Sequence, residues 1–498
     1  MSTDPGIPAD GVESVLDEVQ RMRAQGGSAA VWTALRRIAD SGRAREAAAV
    51  SLGFGQRSMR HNAPGDAQRA RAAFELAYEA GEGDTVATAA IQLAHFARQD
   101  GDVESAKEYL ERAAQSETGH VAATAAYELG VLLQRTHDLD GAQRWYRRAM
   151  QGEDAGSAAG RASVNLGVLR QEAGDLDSAG ELFRWACENG QGKVPGEAAY
   201  ALGELLRREG ETAQAEAMFE WSARARFPAA LLALGRLLAA AGRLTEAEAA
   251  LRQAADDYGD MAALTALGDV LVLRVEPGND LAHLIVDLSM DEFIHAYTSH
   301  LPAGPEIAEA EECYRQAAAA GEHSALVHLG HLLMCTGRGP EADGVLRQAV
   351  QVGAAGAEAE LATLLFLRGE VAEAARVLEP AVAAGNAAAL ITRATLYGHE
   401  DRPAQAVDLL RRALSVGGAA LGAGAQLFIL LALLGDLDGA QDALREMITT
   451  NDEAGLAALH QLLANLPALQ EDLRRARDSG DADVLRQFTA RLPEALQD

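Results

Sequence analysis

Lysine is almost missing from this 498-residue chain: of its 44 basic residues only Lys107 and Lys193 are lysine, and arginine supplies the rest. That bias is typical of GC-rich codons and points to a high-GC bacterium. Aromatic residues make up 5% of the chain. A core therefore has to be built from close contacts among small and branched side chains, which favours helix packed on helix. Cysteine is scarcer still. Cys187, Cys313 and Cys335 are too few, and odd in number, for a disulfide framework, which fits a reducing cytoplasm. Positive charge is short overall, with a net formal charge of −29 and a pI near 4.8. Binding of a nucleic-acid backbone would begin with long-range repulsion, so no nucleic-acid partner is expected. The N-terminus has neither a basic nor an apolar leader region, so no secretion signal is expected and the cytoplasm is the expected location. The one long apolar run, AALGAGAQLFILLALL at 419–434, is broken by glycines and sits at the lower length limit for a bilayer. It reads as a buried helix, and no membrane span is expected.

What is present is folded and repetitive. Hydrophobic residues make up 48%, enough to exclude wholesale disorder. A small residue recurs after leucine or its equivalent inside amphipathic segments: Ala94, Gly130, Gly167, Gly203, Gly235, Gly268, Gly330, Ala362 and Ala394, then Phe428. Twelve residues after nearly every such anchor stands an alanine, namely Ala106, Ala142, Ala179, Ala215, Ala247, Ala342, Ala374, Ala406 and Ala440. Four residues further comes a large apolar side chain, as at Leu110, Tyr146, Phe183, Phe219, Leu251, Leu346, Leu378, Leu410 and Leu444. Three beyond that is usually another alanine, which completes one helical face. Each period thus encodes a helix A carrying the anchor and a helix B carrying the alanines. Turns such as GDV, HDLD, GDLD and GRL lie between them.

The pattern of a small residue after an apolar one in helix A, followed by A-x₃-[FYL]-x₂-A in helix B, resembles the tetratricopeptide repeat, especially its alanine- and glycine-rich Sel-like branch. The resemblance covers about residues 46–450. It implies an all-α, right-handed superhelical solenoid of stacked antiparallel helix pairs. This chain departs from the family where an early helix-A aromatic gives way to Ala126, Ser163 or Leu231. The proline usual near the end of helix B is replaced by glycines such as Gly152, Gly190, Gly321 and Gly385.

About 12 repeats are expected, two of them irregular. The stretch PGNDLAHLIVDLSMDEFIHAYTSHLPAG, 277–304, reads as a degenerate repeat kept in register: twelve after Gly268 is Asp280, four further is Leu284, and Thr298 stands twelve before Ala310. Near the N-terminus, Leu52-Gly53 is followed by Ala70, Phe74 and Ala77, which implies a loop, QRSMRHNAPGD, five residues longer than usual. The organisation expected is an N-terminal helical cap over 1–45, the array over 46–450 and capping helices over 451–498.

Chemistry is thin. His328, His331 and Cys335 share one face of a helix A, and Cys313 lies on the helix before it. The equivalent positions elsewhere, Glu128, Val131, Asn165 and Glu204, read as variable surface sites, so no metal and no cofactor are expected. Phosphate loops, nucleophile elbows and CxxC pairs are missing, and the chain is expected not to be an enzyme.

The resemblance implies a concave face lined by helix A at offsets −3, +1, +4 and +5 from the anchor. In the first half this selects His95, Arg98, Gln99, Tyr127, Gln134, Arg135, Gln171, Glu172, Tyr200, Glu204, Arg207, Arg208 and Arg236, a polar, arginine-rich lining. In the second half it selects Val272, Leu273, Val327, His331, Met334, Cys335, Phe366, Leu367, Ile391 and Ile429, which is more apolar. The expected function is a protein-interaction scaffold or adaptor that takes a peptide or protein segment in this groove. The alternative is a cytoplasmic peptide-sensing receptor that changes shape on binding. The bland alternative for the arginines is that they neutralise glutamates on adjacent repeats.

Overall fold

A computed structural model describes residues 9–61, 66–152, 156–275, 301–302, 304–400 and 402–416, with scattered positions from 423 to 443. The described residues are helical, with no strand among them. They divide into two units, 1–230 and 231–498.

In the first unit a long helix α1 (Ala9–Asp40) precedes α2 (Ala44–His61) and α3 (Asp66–Ala80). Four helix pairs follow: α4 (Gly83–Gln99) with α5 (Val103–Ala113), α6 (Gly119–Arg135) with α7 (Leu139–Met150), α8 (Gly156–Glu172) with α9 (Leu176–Asn189), and α10 (Val194–Arg208) with α11 (Thr212–Arg224). The next pair is α12 (Ala229–Ala240), which begins where the units divide, and α13 (Leu244–Tyr258). The second unit continues with α14 (Met261–Val275) and α15 (Pro305–Ala319), α16 (Ser324–Cys335) and α17 (Gly339–Gln351), α18 (Ala357–Leu367) and α19 (Val371–Ala383), and α20 (Ala387–His399) and α21 (Pro403–Val416).

The turn from helix A to helix B shows how the sequence starts and stops these elements. In GDV, GDLD and HDLD the aspartate is the N-cap: Asp102 accepts from Ser105 N–H, Asp138 from Gly141 N–H and Asp175 from Ser178 N–H. Each satisfies a backbone donor that the first helical turn leaves open. The residue before it has a left-handed backbone, with φ of 78° at Gly101 and 80° at Gly174. His137 holds the same place with φ of 63°, a conformation that glycine adopts without strain.

Packing follows the sequence offsets closely. The first alanines of helix B, from Ala106 to Ala374, are fully buried, and so are the large residues Tyr146, Phe183, Phe219, Leu251, Leu346 and Leu378. Tyr146, Phe183, Phe219, Leu251 and Leu346 each lie on the glycine anchor of their own helix A. A methyl group placed on Gly130 or Gly167 would come within 2.5 Å of Tyr146 or Phe183, so only glycine lets the ring approach the backbone there. Ser163, where the family has an aromatic, is buried and donates its hydroxyl to the Leu182 carbonyl of α9 at 2.7 Å. A ring at that position would hold the two helices apart.

Two register assignments are corrected by this packing. Gly268 is covered by Tyr314, which would lie 2.5 Å from an added Cβ. Helix α15 supplies the A-x₃-Y-x₂-A motif as Ala310, Tyr314 and Ala317, all buried, so α14 and α15 form one helix pair. The residues between Val275 and Pro305 thus stand, in sequence, between the two helices of this pair. Near-coincidence of their length with a repeat period disguised the insertion. Asp280, Leu284 and Thr298 lie outside the described residues. At the other end, Gly55 and not Gly53 meets Phe74, with the ring 2.5 Å from an added Cβ, and α2 runs on to His61 through what the sequence suggested was loop.

In α1, Val12, Val15, Val31, Leu35 and Ile38 pack with Ala47 and Val50 of α2 and Leu76 of α3. Within the apolar run 419–434, the described Ala423, Leu427 and Leu431 are buried. No helix among the described residues is long and apolar enough to cross a membrane. Phe428 and Ile429, and the expected C-terminal cap over 451–498, lie outside the described residues.

Candidate interaction face

On the helix-A face, polar side chains at the +1 or +4 offset of one repeat reach the −2 position of the next. In the first unit Arg98 pairs with Glu128 at 2.9 Å. Tyr146, rising from helix B, donates its hydroxyl to Gln134 at 2.7 Å and accepts from the Asn165 amide at 3.2 Å, which joins two successive repeats. Burial drives the Tyr146 phenol up to about 12, so it remains a neutral donor. Tyr127 lies 6.2 Å from the Tyr146 ring, under the guanidinium of Arg161 at 5.8 Å, and burial raises its phenol too. Tyr200 packs against Phe219 and Phe227.

His95 and Gln99 are exposed and bond to each other at 3.0 Å. Gln171 is half-buried and Glu172 exposed. Arg207 is held by Glu204 of its own helix at 2.9 Å. Arg135 and Arg208 are exposed, and neither has an ion-pair partner among the described residues. Arg98 thus pairs with a neighbouring repeat and Arg207 within its own helix, while Arg135 and Arg208 have no such pair among the described residues. In the second unit Arg236 is likewise exposed.

Elsewhere in the second unit the apolar lining expected from the offsets is not a surface. Val272, Met334, Cys335, Phe366 and Ile391 are buried, because the close approach permitted by the anchor residues brings neighbouring helices over them. Leu273, Val327 and Leu367 are half-buried. In place of an apolar groove there is a half-buried polar seam. Tyr314 donates to Asp269 at 2.7 Å, and His328 Nδ1 lies 2.8 Å from the same carboxylate oxygen. Burial opposes protonation of His328, but the hydrogen bond and charge of Asp269 outweigh it and hold the imidazole above its ordinary range. His331 Nδ1 lies 3.3 Å from Glu360 and its Nε2 3.3 Å from Cys335 Sγ. Here too burial works against the cation, and the charge of Glu360, with the bonds to Cys335 and Glu360, carries the imidazole up to about 10.

The −2 positions that read as variable surface sites are therefore contacts between repeats. The signal in the sequence was complementarity across one period: Arg98 with Glu128, Asp269 with His328, His331 with Glu360. Among the described residues no three His, Cys, Asp or Glu side chains are grouped to hold a metal ion.

These helix pairs, closed by a small anchor and a large residue, and repeated along each unit, define an all-α helical-repeat protein. Residues 87–118 match the family model described as tetratricopeptide repeat. No curated protein matches the chain. Among solved structures, a protective antigen of uropathogenic Escherichia coli displaying an SLR fold is 20% identical, covers 94% of this chain and 96% of its own, and has a TM-score of 0.46. The pilF protein of Pseudomonas aeruginosa is 19% identical, covering 44% of this chain and 95% of its own with a TM-score of 0.36. A tetratricopeptide repeat protein from Parabacteroides merdae is 14% identical, covering 58% and 99% with a TM-score of 0.38.

Proposed function

We propose that this chain is a non-catalytic protein-interaction scaffold or adaptor, and that the face of α4, α6, α8 and α10 receives a peptide or protein segment bearing carboxylates. The observation that carries the reading is the pair Arg135 and Arg208. Both are exposed on helix-A ends of a chain whose net charge is −29, and both lack an ion-pair partner among the described residues. A guanidinium left over in so acidic a protein offers a fork of donors to an incoming carboxylate. The adjoining Tyr127, Gln134, Asn165 and Tyr200 supply rings and amides of the sort that fix an extended segment without demanding one sequence.

A random peptide library displayed on phage and selected on the full-length protein tests this. Selected peptides should be enriched in Asp and Glu, and the Arg135→Ala, Arg208→Ala double variant should bind them at least tenfold more weakly, since a single charge-assisted bond contributes about 1.5–3 kcal/mol. Peptides without acidic residues, or equal affinity for the folded double variant, would remove this face from consideration.

A further inference from the structure

The chain holds three buried cysteines in different chemical surroundings. Cys187 has the Pro195 carbonyl 3.9 Å from its sulfur and Glu188 nearby, and Cys313 lies among Glu309, Glu312 and Arg252; burial pushes both thiols up to about 11. Neither has an imidazole beside it. Cys335, at the end of α16, has the imidazole of His331 one turn back, with Sγ to Nε2 at 3.3 Å. On the far side of that ring Glu360 of α18 lies 3.3 Å from Nδ1. Thiol, imidazolium and carboxylate stand in line, so a positive charge held by Glu360 lies beside the sulfur.

We propose that Cys335 is the redox-modifiable thiol of this protein, converted to its sulfenic acid by hydroperoxides of the size of hydrogen peroxide, with the His331 imidazolium holding its thiolate and giving a proton to the leaving group. In the step, the Cys335 thiol gives its proton to water, and the thiolate is held by His331 Nε2–H. Sγ then attacks one peroxide oxygen, an S–O bond forms and the O–O bond breaks. The departing hydroxide takes the Nε2 proton and leaves as water, and a proton from solvent restores the imidazolium. Sulfur loses two electrons, the peroxide gains them, and the sulfenic acid remains on Cys335.

Position sets both the need for His331 and the size of the oxidant. A thiolate at the carbonyl end of a helix is opposed by the helix dipole, so the adjacent imidazolium must offset that field. Access is graded: Cys335 is 2% exposed, while the side chains of His331 and Glu360 are 12% and 22% exposed. So covered a sulfur admits only a reagent of a few atoms, and since Cys187 and Cys313 are more exposed, at 6% and 7%, a preference for Cys335 comes from His331 and not from access.

The experiment exposes the full-length protein to hydrogen peroxide in the presence of a small dimedone-type trap, and quantifies the adduct at each cysteine by peptide mass spectrometry. The adduct at Cys335 is expected to form at least about tenfold faster than at Cys187 or Cys313, in line with the dependence of thiol reactivity on thiolate character. The His331→Gln variant should lose this preference, and Glu360→Gln should reduce it several-fold. Circular dichroism checks both variants for folding, and Glu360→Gln decides the matter if His331→Gln does not fold. Equal labelling of the three cysteines, or unchanged labelling of Cys335 in a folded variant, would overturn the proposal.

Discussion

Adding one methyl group at Gly268 tests the central contact of the second unit. An alanine Cβ there would lie 2.5 Å from Tyr314 Cε1, 2.7 Å from Cζ and 3.0 Å from Cδ1. Carbon atoms in ordinary contact are about 3.5–4.0 Å apart, so the ring must shift by roughly 1 Å. It has little room to do so, because Tyr314 is 1% exposed and tied through its hydroxyl to Asp269. Overpacking of this kind costs about 1–3 kcal/mol, and a loosened bond to a carboxylate adds to it. Against this stands a gain of about 1 kcal/mol from replacing glycine inside a helix. Gly268→Ala should therefore destabilise α14 and α15 by about 2 kcal/mol. In a Tyr314→Ala background the ring is gone and the same change should stabilise by about 1 kcal/mol, a coupling of about 3 kcal/mol. Gly53→Ala is the control, since nothing lies within 4 Å of its added Cβ. Hydrogen exchange read by mass spectrometry over 261–275 and 305–319 is the suitable assay, because repeat arrays open unit by unit. Equal stabilisation in both backgrounds would refute the pairing of Gly268 with Tyr314.

Two further outcomes follow from the same seam. His331 is held protonated up to about 10, above its ordinary value of 6.5, so its contribution to stability is full below about 6.5 and is lost as pH rises through about 10. Thermal unfolding from pH 7 to 10.5 should show the difference between the native chain and His331→Gln shrinking with pH; a constant difference would contradict this. Replacing residues 277–299 by a four-residue Gly/Ser turn should leave protection of 261–275 and 305–319 intact, as other repeats join helix A to helix B within a few residues. If the stretch were instead a helix pair of the array, both helices would lose a neighbour and exchange early.

The sequence was most readable where sterics leave few choices. An alanine twelve residues from a small anchor and a large residue four further on admit one way of nesting two helices, and the buried rows from Ala106 to Ala374 followed it. Glycine alone misled, because the residue does not say whether its missing Cβ is used: Gly53 has open space and Gly55 carries Phe74. The insertion misled by arithmetic, its length imitating a period while Tyr314 kept the motif that closes on Gly268. Of the proposed face, the separation of paired from unpaired arginines was out of reach, since it depends on which carboxylate each long side chain meets in space. Apolar character at the helix-A offsets likewise could not distinguish an exposed lining from a covered one, as Met334 and Phe366 show by being buried.

The interrupted repeat also bears on how the chain folds as it is made. Tyr146 and its partner Gln134 are 12 residues apart, whereas Tyr314 and Asp269 are separated by 45. Closing the longer loop costs about 1 kcal/mol more in chain entropy, so this helix pair should zip later than the one before it. At synthesis rates of about 5–20 residues per second, α14 waits several seconds for the helix that covers Gly268. Throughout that interval a nascent chain exposes the apolar face of α14, which makes this point of the array the expected place for chaperone capture or for misassembly between neighbouring chains.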